Sequence, residues 1–259
     1  MTGTCSIETA LAAAISGLRQ EGFADAIWQF CSALAGPDNL IVLAYRDSGP
    51  PQVLLTRAGS DQVFARLETG YLAGAYRLDP YFDLHLGRAA EGAYRIRDIA
   101  PDAFQRSRYF IEYFGATTLI DEIAVVVPLG VGLSLNLCLG RDARSGRPFN
   151  AAEVATFRRM APVLAALARA EWRGLDHDMG QAEDTPALLI QAARGRGIQL
   201  SPRQAMVALL ILRGHSTASI GLRLGVSPQT VKVFRKQLYQ RCNITSQAEL
   251  FSLLLPLLG

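Results

Sequence analysis

Apolar residues recur every three or four positions in two long stretches of the chain, residues 6–35 and 150–172, and this period predicts helices. The second stretch begins with Asn150, and Glu153 follows three positions later, which is the pattern of a helix capping box. Between the two stretches, short apolar runs separated by turn residues indicate strands, and two further segments have helical spacing. The expected strands are 39–47, 51–57, 92–99, 121–130 and 132–141, and the expected helices between them are 60–78 and 102–114.

The order of these elements indicates an α+β domain in which an antiparallel sheet is flanked by helices. Two pairs of strands follow each other directly, and Ser-Gly-Pro at 48–50 separates the first pair, which is typical of a β-hairpin. The order resembles that of GAF-like and PAS-like sensor domains. We therefore expect a ligand-sensing and dimerisation domain over 1–175, a linker over 176–196 with a short helix at 186–194, and a second domain over 197–259.

The segment from Leu200 onward predicts an all-α domain of four short helices, because each helix start is marked by a capping residue. Serine precedes proline at two of these starts, and proline at the first helical position loses no hydrogen bond. The expected N-caps are Ser201, Thr217, Ser227 and Ser246, and the expected helix ends are Gly214 and Gly225. The side chains expected to face inward are Met206, Leu209, Leu210 and Leu212 in the first helix, Ile220 and Leu224 in the second, and Val231, Phe234 and Leu238 in the third.

The second and third of these helices, joined by a glycine turn, have the pattern of a helix-turn-helix, whose later helix enters the major groove of double-stranded DNA. Lys232 and Lys236 are the only lysines in the chain, and both fall on the face opposite the apolar positions. Lysine contacts phosphates or guanine, and hydroxyls at a helix start donate to phosphates. The residues expected to contact DNA are Thr217, Ser227, Gln229, Thr230, Lys232, Val233, Arg235, Lys236 and Gln240.

The distribution of charge also indicates a nucleic-acid partner. The chain carries a formal net charge of +3, but residues 194–259 contain nine basic residues and one acidic residue, or +8. Residues 1–193 contain 17 basic and 22 acidic residues, or −5. A basic module joined to an acidic body is the electrostatic pattern expected of a DNA-binding tail.

Residues 200–255 resemble the LuxR/GerE-type DNA-binding domain over roughly its full length. The matches are Leu-Ser-Pro-Arg at 200–203, the helix end at Gly214, Leu222, Leu-Gly-Val-Ser at 224–227, Thr-Val-Lys at 230–232, Arg-Lys at 235–236 and Ala-Glu-Leu at 248–250. The departures are Gln204 in place of an acidic residue, Gly221 in place of alanine, Phe234 in place of histidine and Arg241-Cys242 in place of Lys-Leu. The resemblance implies a homodimer formed through the last helix on palindromic DNA, with RNA polymerase as a further partner. The alternative is that the N-terminal domain covers the apolar surface of that helix.

Residues 1–193 contain no lysine, which argues against two common classes of input domain for a DNA-binding tail. A phosphoacceptor receiver and a P-loop nucleotide-binding domain both need a lysine, so a small-molecule pocket is the expected input. Residues 71–82 resemble the aromatic and Asp-Pro motif of acyl-homoserine-lactone receptors of the LuxR family, in which the aspartate accepts a hydrogen bond from the ligand amide. Either such a lactone or another small molecule is the expected ligand. The candidate ligand-binding residues are Tyr71, Tyr76, Asp79, Tyr81, Phe82, Tyr94, Phe110 and Glu122.

Enzyme, metal and membrane functions find no support in the sequence. His85, His177 and His215 lie in unrelated segments without an HExxH motif or a triad context. Asp121 and Glu122 are adjacent, so in a strand they point to opposite faces, and one facing inward would anchor a ligand or cap the sheet. The four cysteines are scattered, which predicts neither zinc nor a disulfide framework, and no cofactor is expected. No apolar run approaches the roughly 20 residues of a membrane span, and the first residues lack signal-peptide features, so we expect a cytoplasmic protein without a membrane partner.

The combined prediction is a DNA-binding transcriptional regulator, not an enzyme, that is controlled by a small molecule, with quorum sensing as one such role. The alternative is a constitutive DNA-binding regulator whose N-terminal domain is a dimerisation or protein-partner scaffold.

Overall fold

The fold is described from a computed structural model, which covers residues 6–107, 110–111, 113–175 and 185–254. The chain divides into two compact units, each built from three segments. The first unit contains Met1–Val63, Leu84–Ile99 and Thr118–Gln181, and the second contains Phe64–Asp83, Ala100–Thr117 and Ala182–Gly259.

The first unit is built on a five-stranded antiparallel sheet, which confirms the predicted α+β class. The strands lie in the order β2-β1-β5-β4-β3, so both predicted hairpins are present. The third strand is shorter than predicted, because the chain leaves the sheet after Arg95 and turns into a short helix. The strands are β1 (Asn39–Arg46), β2 (Gln52–Ala58), β3 (Gly92–Arg95), β4 (Leu119–Gly130) and β5 (Leu133–Asp142).

Helices accompany this sheet, with one departure from the predicted pattern. The single helix expected over 6–35 is two helices, because Gly17 caps the first and Arg19 adopts a left-handed φ of 61° before the second begins after Gly22. The capping box of Asn150 and Glu153 is confirmed, since each side chain accepts a hydrogen bond from the other residue's backbone N–H. The helices are α1 (Ile7–Ser16), α2 (Phe23–Ala35), α3 (Pro80–Leu86, which spans the unit boundary), α4 (Ile96–Ile99) and α5 (Ala151–Glu171).

Strand β5 is buried on both of its faces. Leu135, Leu137 and Leu139 belong to the hydrophobic core that includes residues of α2 and α5. Because side chains alternate along a strand, Ser134 and Asn136 lie on the opposite face, where they are also buried. A strand covered on both sides normally carries apolar residues throughout, so the polar side chains on this second face call for an explanation.

The second unit contains segments 64–83 and 100–117 together with the C-terminal helices. The helix predicted over 60–78 is instead a succession of short turns: 3₁₀ at Asp61–Phe64, π at Leu67–Leu72 and 3₁₀ at Ala75–Leu78. Glycine at 74, with a φ of 149°, separates the last two turns and explains why no regular helix continues. Of the helix predicted over 102–114, Phe110 and Ile111 are helical, whereas Phe104–Arg106 and Phe114–Ala116 are 3₁₀ turns.

Five helices follow in the described C-terminal part of the second unit, including the predicted short helix near residue 190. None of the helices described for the chain has the length and apolar character needed to cross a lipid bilayer. The five are α6 (Thr185–Gly195), α7 (Pro202–Arg213), α8 (Thr217–Leu224), α9 (Pro228–Cys242) and α10 (Gln247–Leu254).

A buried carboxylate joins the sheet to the start of α5. Asp121 on β4 is fully buried and accepts hydrogen bonds from the Arg95 guanidinium, with Nη2 at 2.5 Å, and from the backbone N–H of Phe149 at 3.0 Å. The Arg97 guanidinium lies 3.5 Å from the same carboxylate. Of the two adjacent acids, Asp121 is therefore the one that caps the sheet, whereas Glu122 is only half-buried.

Replacing Asp121 with asparagine is expected to lower the free energy of unfolding by about 3–5 kcal/mol, because it leaves the largely buried Arg95 without its charge partner. Urea denaturation followed by circular dichroism measures this decrease. Asp98→Asn is the matched control, since Asp98 pairs with Arg158 at a site where both side chains are more than half exposed, and its effect should stay below about 1 kcal/mol. Equal effects of the two substitutions would contradict the anchoring role of Asp121.

Candidate DNA-binding and ligand-binding sites

Helices α7, α8 and α9 start and end as a helix-turn-helix requires. The Ser201 hydroxyl accepts from the Gln204 N–H at 3.2 Å, and the Gln204 side chain accepts from the Ser201 N–H at 3.0 Å, so the predicted capping box is confirmed. Ser227 caps α9 in the same way by accepting from the Thr230 N–H at 3.0 Å. Gly225 ends α8 in the left-handed conformation, with a φ of 65°. The glutamine that replaces the usual acid at position 204 therefore preserves the cap.

The start of α8 differs from the prediction by one residue. Ser216, not Thr217, is the N-cap, and its hydroxyl accepts from the Ser219 N–H at 3.2 Å. Thr217 is the first residue of the helix. Both residues have hydroxyls able to cap, so the local sequence did not distinguish them.

Three of the predicted inward positions are not fully buried, and one of them is Leu224 on α8, which is half-buried. Met206 is 36% exposed, while its neighbour Val207 is fully buried, because α7 buries most of its circumference. On α9, Phe234 is only half-buried, and Cys242 joins Val231 in the interior instead.

The predicted cap of the last helix is present. The Ser246 hydroxyl accepts from the Glu249 N–H at 3.2 Å. The Glu249 carboxylate accepts in return from the hydroxyls of Thr245 and Ser246 and from the Thr245 N–H. The Ser246 hydroxyl thus caps α10 as Ser201 and Ser227 cap α7 and α9, whereas the Glu249 carboxylate accepts from the Thr245 N–H and not from the Ser246 N–H, so it does not close a strict capping box.

Glycine at position 221 permits the close crossing of α8 and the following turn. A Cβ at this position would lie 2.8 Å from the Val226 carbonyl oxygen, which is closer than real Cβ contacts allow. The backbone of the turn would have to shift to accept alanine. Glycine in place of the usual alanine therefore allows the turn to pack this closely on α8.

The face of α9 predicted to meet DNA is open to solvent. Gln229, Lys232, Val233, Lys236 and Gln240 are all exposed. Within the described ranges, neither lysine makes an ion pair, so both charges are available to phosphates or base edges.

The remaining predicted DNA-binding residues flank this face. Arg235 is exposed and its guanidinium carbon lies 5.3 Å from the Tyr239 ring centroid. The hydroxyls of Ser227 and Thr230 lie 2.9 Å apart at the start of α9. They sit beside backbone N–H groups at the positive end of the helix, a site that favours phosphate.

In the second unit, the candidate ligand segment surrounds a buried carboxylate. Asp79 is 7% exposed and accepts from the Tyr71 hydroxyl at 2.5 Å and from the Tyr81 N–H at 2.8 Å. Burial raises the pKa of Asp79 from 3.8 to about 6, and the charge of Asp83 adds to this, whereas the hydrogen bonds from Tyr71 and Tyr81 oppose it. Asp79 is therefore an acceptor of the kind expected for a ligand amide, and it already accepts a hydrogen bond from the Tyr71 hydroxyl.

Aromatic rings pack around this carboxylate. Tyr71 stacks on Tyr113, with ring centroids 5.5 Å apart, and Tyr76 meets Phe82 edge to face at 5.2 Å. The predicted set omitted Tyr113, although its spacing of four from Tyr109 marked it as an aromatic position.

A second aromatic group lies in segment 100–117 of the same unit. Phe110 stacks on Phe114, with ring centroids 5.3 Å apart, and Phe104 meets Phe110 edge to face at 5.4 Å. The predicted ligand residue Phe110 is therefore part of a phenylalanine cluster.

Two predicted ligand residues, Tyr94 and Glu122, belong to the first unit instead. The Tyr94 hydroxyl donates to the Ala90 carbonyl at 2.8 Å. Its position on β3 is opposite Ala124 of β4. Glu122 lies two residues earlier on β4 and is half-buried. Six of the eight predicted ligand residues therefore share one unit.

The first unit also holds a polar chain that sequence reasoning missed. The expectation that no histidine has a triad context was wrong for His85, whose Nδ1 lies 2.8 Å from the Ser134 hydroxyl and whose Nε2 lies 3.2 Å from the Asp47 carboxylate. Arg88 also pairs with Asp47, at 2.5 Å. Burial lowers the pKa of His85, which favours the neutral ring. Residues 47, 85 and 134 are far apart in the sequence, so no local motif could reveal them.

Next to this chain, Asn136 lies on the same face of β5 and is fully buried. Neither its side-chain nitrogen nor its oxygen has a hydrogen-bond partner among the residues that the structure describes. Its neighbours across the sheet are the apolar Leu43 on β1 and Val126 on β4. A buried amide beside apolar residues requires a hydrogen-bonding partner, from the protein, from water or from a ligand.

The described residues hold no group of three or more His, Cys, Asp or Glu side chains that could bind a metal ion. Cys31, Cys138 and Cys242 are free thiols and are buried.

Lys232→Ala and Lys236→Ala are each expected to weaken DNA binding and to reduce the slope of log K against log salt by about one unit per phosphate that the lysine neutralises. Fluorescence anisotropy of the full-length protein on a duplex, repeated over a range of KCl concentrations, measures both quantities. Arg57→Ala is the control, because it removes a basic residue of the first unit that pairs with Asp25. An unchanged slope in both lysine variants would exclude phosphate binding by these side chains.

Ionisation of Asp79 is expected to reduce stability as the pH rises from about 4 to 7. The unfolded carboxyl ionises near 3.8 and the folded one near 6, so the folded state holds a proton that the unfolded state loses. The shift corresponds to a decrease of about 3 kcal/mol in the free energy of unfolding. Urea denaturation at several pH values measures it, and Asp79→Asn should remove this part of the pH dependence. Identical pH profiles for variant and wild type would contradict the prediction.

Comparison with known proteins agrees with this description. The family model for GerE, described as bacterial regulatory proteins of the luxR family, matches residues 198–254. An HTH-type transcriptional regulator from the exeN 3' region of Aeromonas salmonicida is 33% identical over 155 residues, which cover 57% of this chain and 78% of that protein. The transcriptional regulatory protein UhpA of Escherichia coli K12 is 35% identical over 66 residues, or 26% of this chain and 34% of UhpA.

Among solved structures, the LBD domain of VqsR from Pseudomonas aeruginosa has the same fold, with a TM-score of 0.56 at 24% identity. The match covers 66% of this chain and 98% of that domain. The helix-turn-helix geometry, the family match and the Aeromonas relative describe a regulator of transcription and not an enzyme. The chain belongs to the LuxR family of bacterial transcriptional regulators.

Proposed function

We propose that DNA binding by this regulator is controlled by a small molecule bound in its N-terminal domain, with boundaries near 1–175 for that domain, 176–196 for the linker and 197–259 for the DNA-binding domain. The observation that carries the proposal is the fully buried amide of Asn136, which has no partner among the described residues. A buried polar group without a partner lowers the stability of the folded state by about 1–3 kcal/mol. Such a group is expected where a ligand or water supplies the missing hydrogen bonds.

The chemistry of this face suggests the class of ligand. The Asn136 amide offers two N–H donors and a carbonyl acceptor, and its surroundings on β1 and β4 are apolar. A mostly apolar molecule that carries a carbonyl and an N–H or O–H group would satisfy it. An acyl-homoserine lactone is one molecule of this kind, and other small amides fit equally.

The buried Asp79 supports the same function independently. Its carboxylate and the Tyr71 hydroxyl form a donor–acceptor pair inside an aromatic cluster, which is suited to an amide or hydroxyl group of a ligand. The fold shared with the LBD domain of VqsR is consistent with a sensing role.

We further infer that the regulator acts in the cytoplasm as a homodimer on two half-sites of double-stranded DNA, with RNA polymerase as a further partner. Leu250, Phe251 and Leu254 are buried in the second unit, so the described part of the last helix packs within its own unit. Leu253 is a half-buried apolar side chain of α10 that a second copy could contact.

Replacing Asn136 with valine is expected to raise the free energy of unfolding of the ligand-free protein by about 1–3 kcal/mol, because it removes an unpaired buried amide. The same change should abolish retention of a small molecule. Native mass spectrometry of freshly purified full-length protein detects such a molecule and the dimer in one measurement.

Asn39→Val is the matched control. Asn39 is similarly buried on β1, but its amide donates to the Asp142 carboxylate at 3.0 Å, so its replacement should destabilise the protein. If Asn136→Val destabilises the protein as Asn39→Val does, and the wild type carries no bound molecule, the constitutive alternative is favoured.

A further inference from the structure

In the second unit, segment 100–104 packs directly against the turn between α7 and α8. The Ala103 N–H donates to the Gly214 carbonyl at 3.1 Å. A Cβ on Gly214 would lie 2.9 Å from the Cα of Phe104, so only glycine allows this approach. Backbone packing at this distance fixes where the adjoining Asp102 sits.

Asp102 occupies the N-terminus of α8. Its carboxylate accepts from the Ser216 N–H at 3.0 Å, and Ser216 is the N-cap of this eight-residue helix. The hydrogen bonds from Ser216 lower the pKa of Asp102, so it is ionised at neutral pH. In a helix-turn-helix, α8 is the helix that crosses the DNA backbone, and a helix N-terminus is a natural phosphate site.

A second acid pairs with the residue just before this turn. Arg213, the last residue of α7, pairs with Asp83 at 2.7 Å and donates to the Arg77 carbonyl at 3.1 Å. The side chains of Arg213 and Asp83 are only 13% and 21% exposed, so this pair is well shielded from solvent. Burial raises the pKa of Asp83, and the charges of Arg213 and of Arg223 on α8 oppose this rise. Two acids from outside the basic tail thus neutralise part of its charge beside the start of α8.

We propose that the Asp102 carboxylate stands in for a DNA phosphate at the N-terminus of α8 and thereby restrains DNA binding. The shielded Arg213–Asp83 pair keeps segment 77–83 on the turn, and the exposed Asp102 is the part that competes with DNA. The predicted recognition face of α9 stays open to solvent, so the restraint removes a backbone phosphate site without blocking base recognition. This mechanism operates with or without a small-molecule ligand.

The test uses the full-length Asp102→Asn variant and a fluorescein-labelled 30-bp duplex of random sequence, with binding followed by anisotropy between 50 and 300 mM KCl. Asparagine keeps the size of the side chain but removes its charge, so its neutral amide oxygen is a weaker acceptor that a DNA phosphate can displace from the Ser216 N–H. Affinity at 100 mM KCl should rise roughly three- to tenfold, and the salt slope should steepen by about one, because a DNA phosphate then occupies the helix N-terminus.

Two further variants separate charge at this site from charge in general. Asp102→Glu keeps the charge and should bind DNA like the wild type. Asp25→Asn removes one negative charge from the first unit, where Asp25 is 76% exposed, and should change affinity less than about twofold. An Asp102→Asn protein that melts within a few degrees of the wild type, yet binds DNA no more tightly and with an unchanged slope, would overturn the proposal.

Discussion

The buried carboxylate of Asp121 is the group on which the first unit depends. Its position on β4 lets it bind Arg95 of β3 and the backbone just before α5 at once. The long helix is therefore aligned with the sheet by a charged hydrogen bond, and the apolar core can then form between α2, α5 and one sheet face. That alignment leaves the second face of β5, with Ser134 and Asn136, free to carry polar chemistry.

Local patterns in the sequence were sufficient wherever a structure is set by neighbouring residues. The strands, the capping box at Asn150 and the serine caps at 201 and 227 were all predicted, because period and cap geometry act over a few positions. The irregular turns between 61 and 78 were predicted as one helix because apolar spacing alone does not register the backbone freedom of Gly74.

Interactions between distant residues could not be predicted in this way. His85 and Ser134 are 49 positions apart, and Asp102 and Ser216 are 114 apart, so neither pair leaves a periodic signal. The candidate ligand residues were chosen by motif, and two of them, Asp79 and Tyr71, form a hydrogen-bonded pair. The motif said nothing of Asn136, whose significance appears only once its burial and its bonding are known.

The ends of two helices in the tail show how a single packing site restricts the choice of residue. Helix α9 ends at Asn243 in the left-handed conformation, with a φ of 51°, because asparagine tolerates that backbone. Helix α7 ends in the same conformation at Gly214, but there a side chain would collide with Phe104. Conformation alone would allow position 214 to drift to asparagine during evolution. The packed segment 100–104 forbids it, so the glycine at this position is fixed by a contact within the second unit and not by backbone conformation alone.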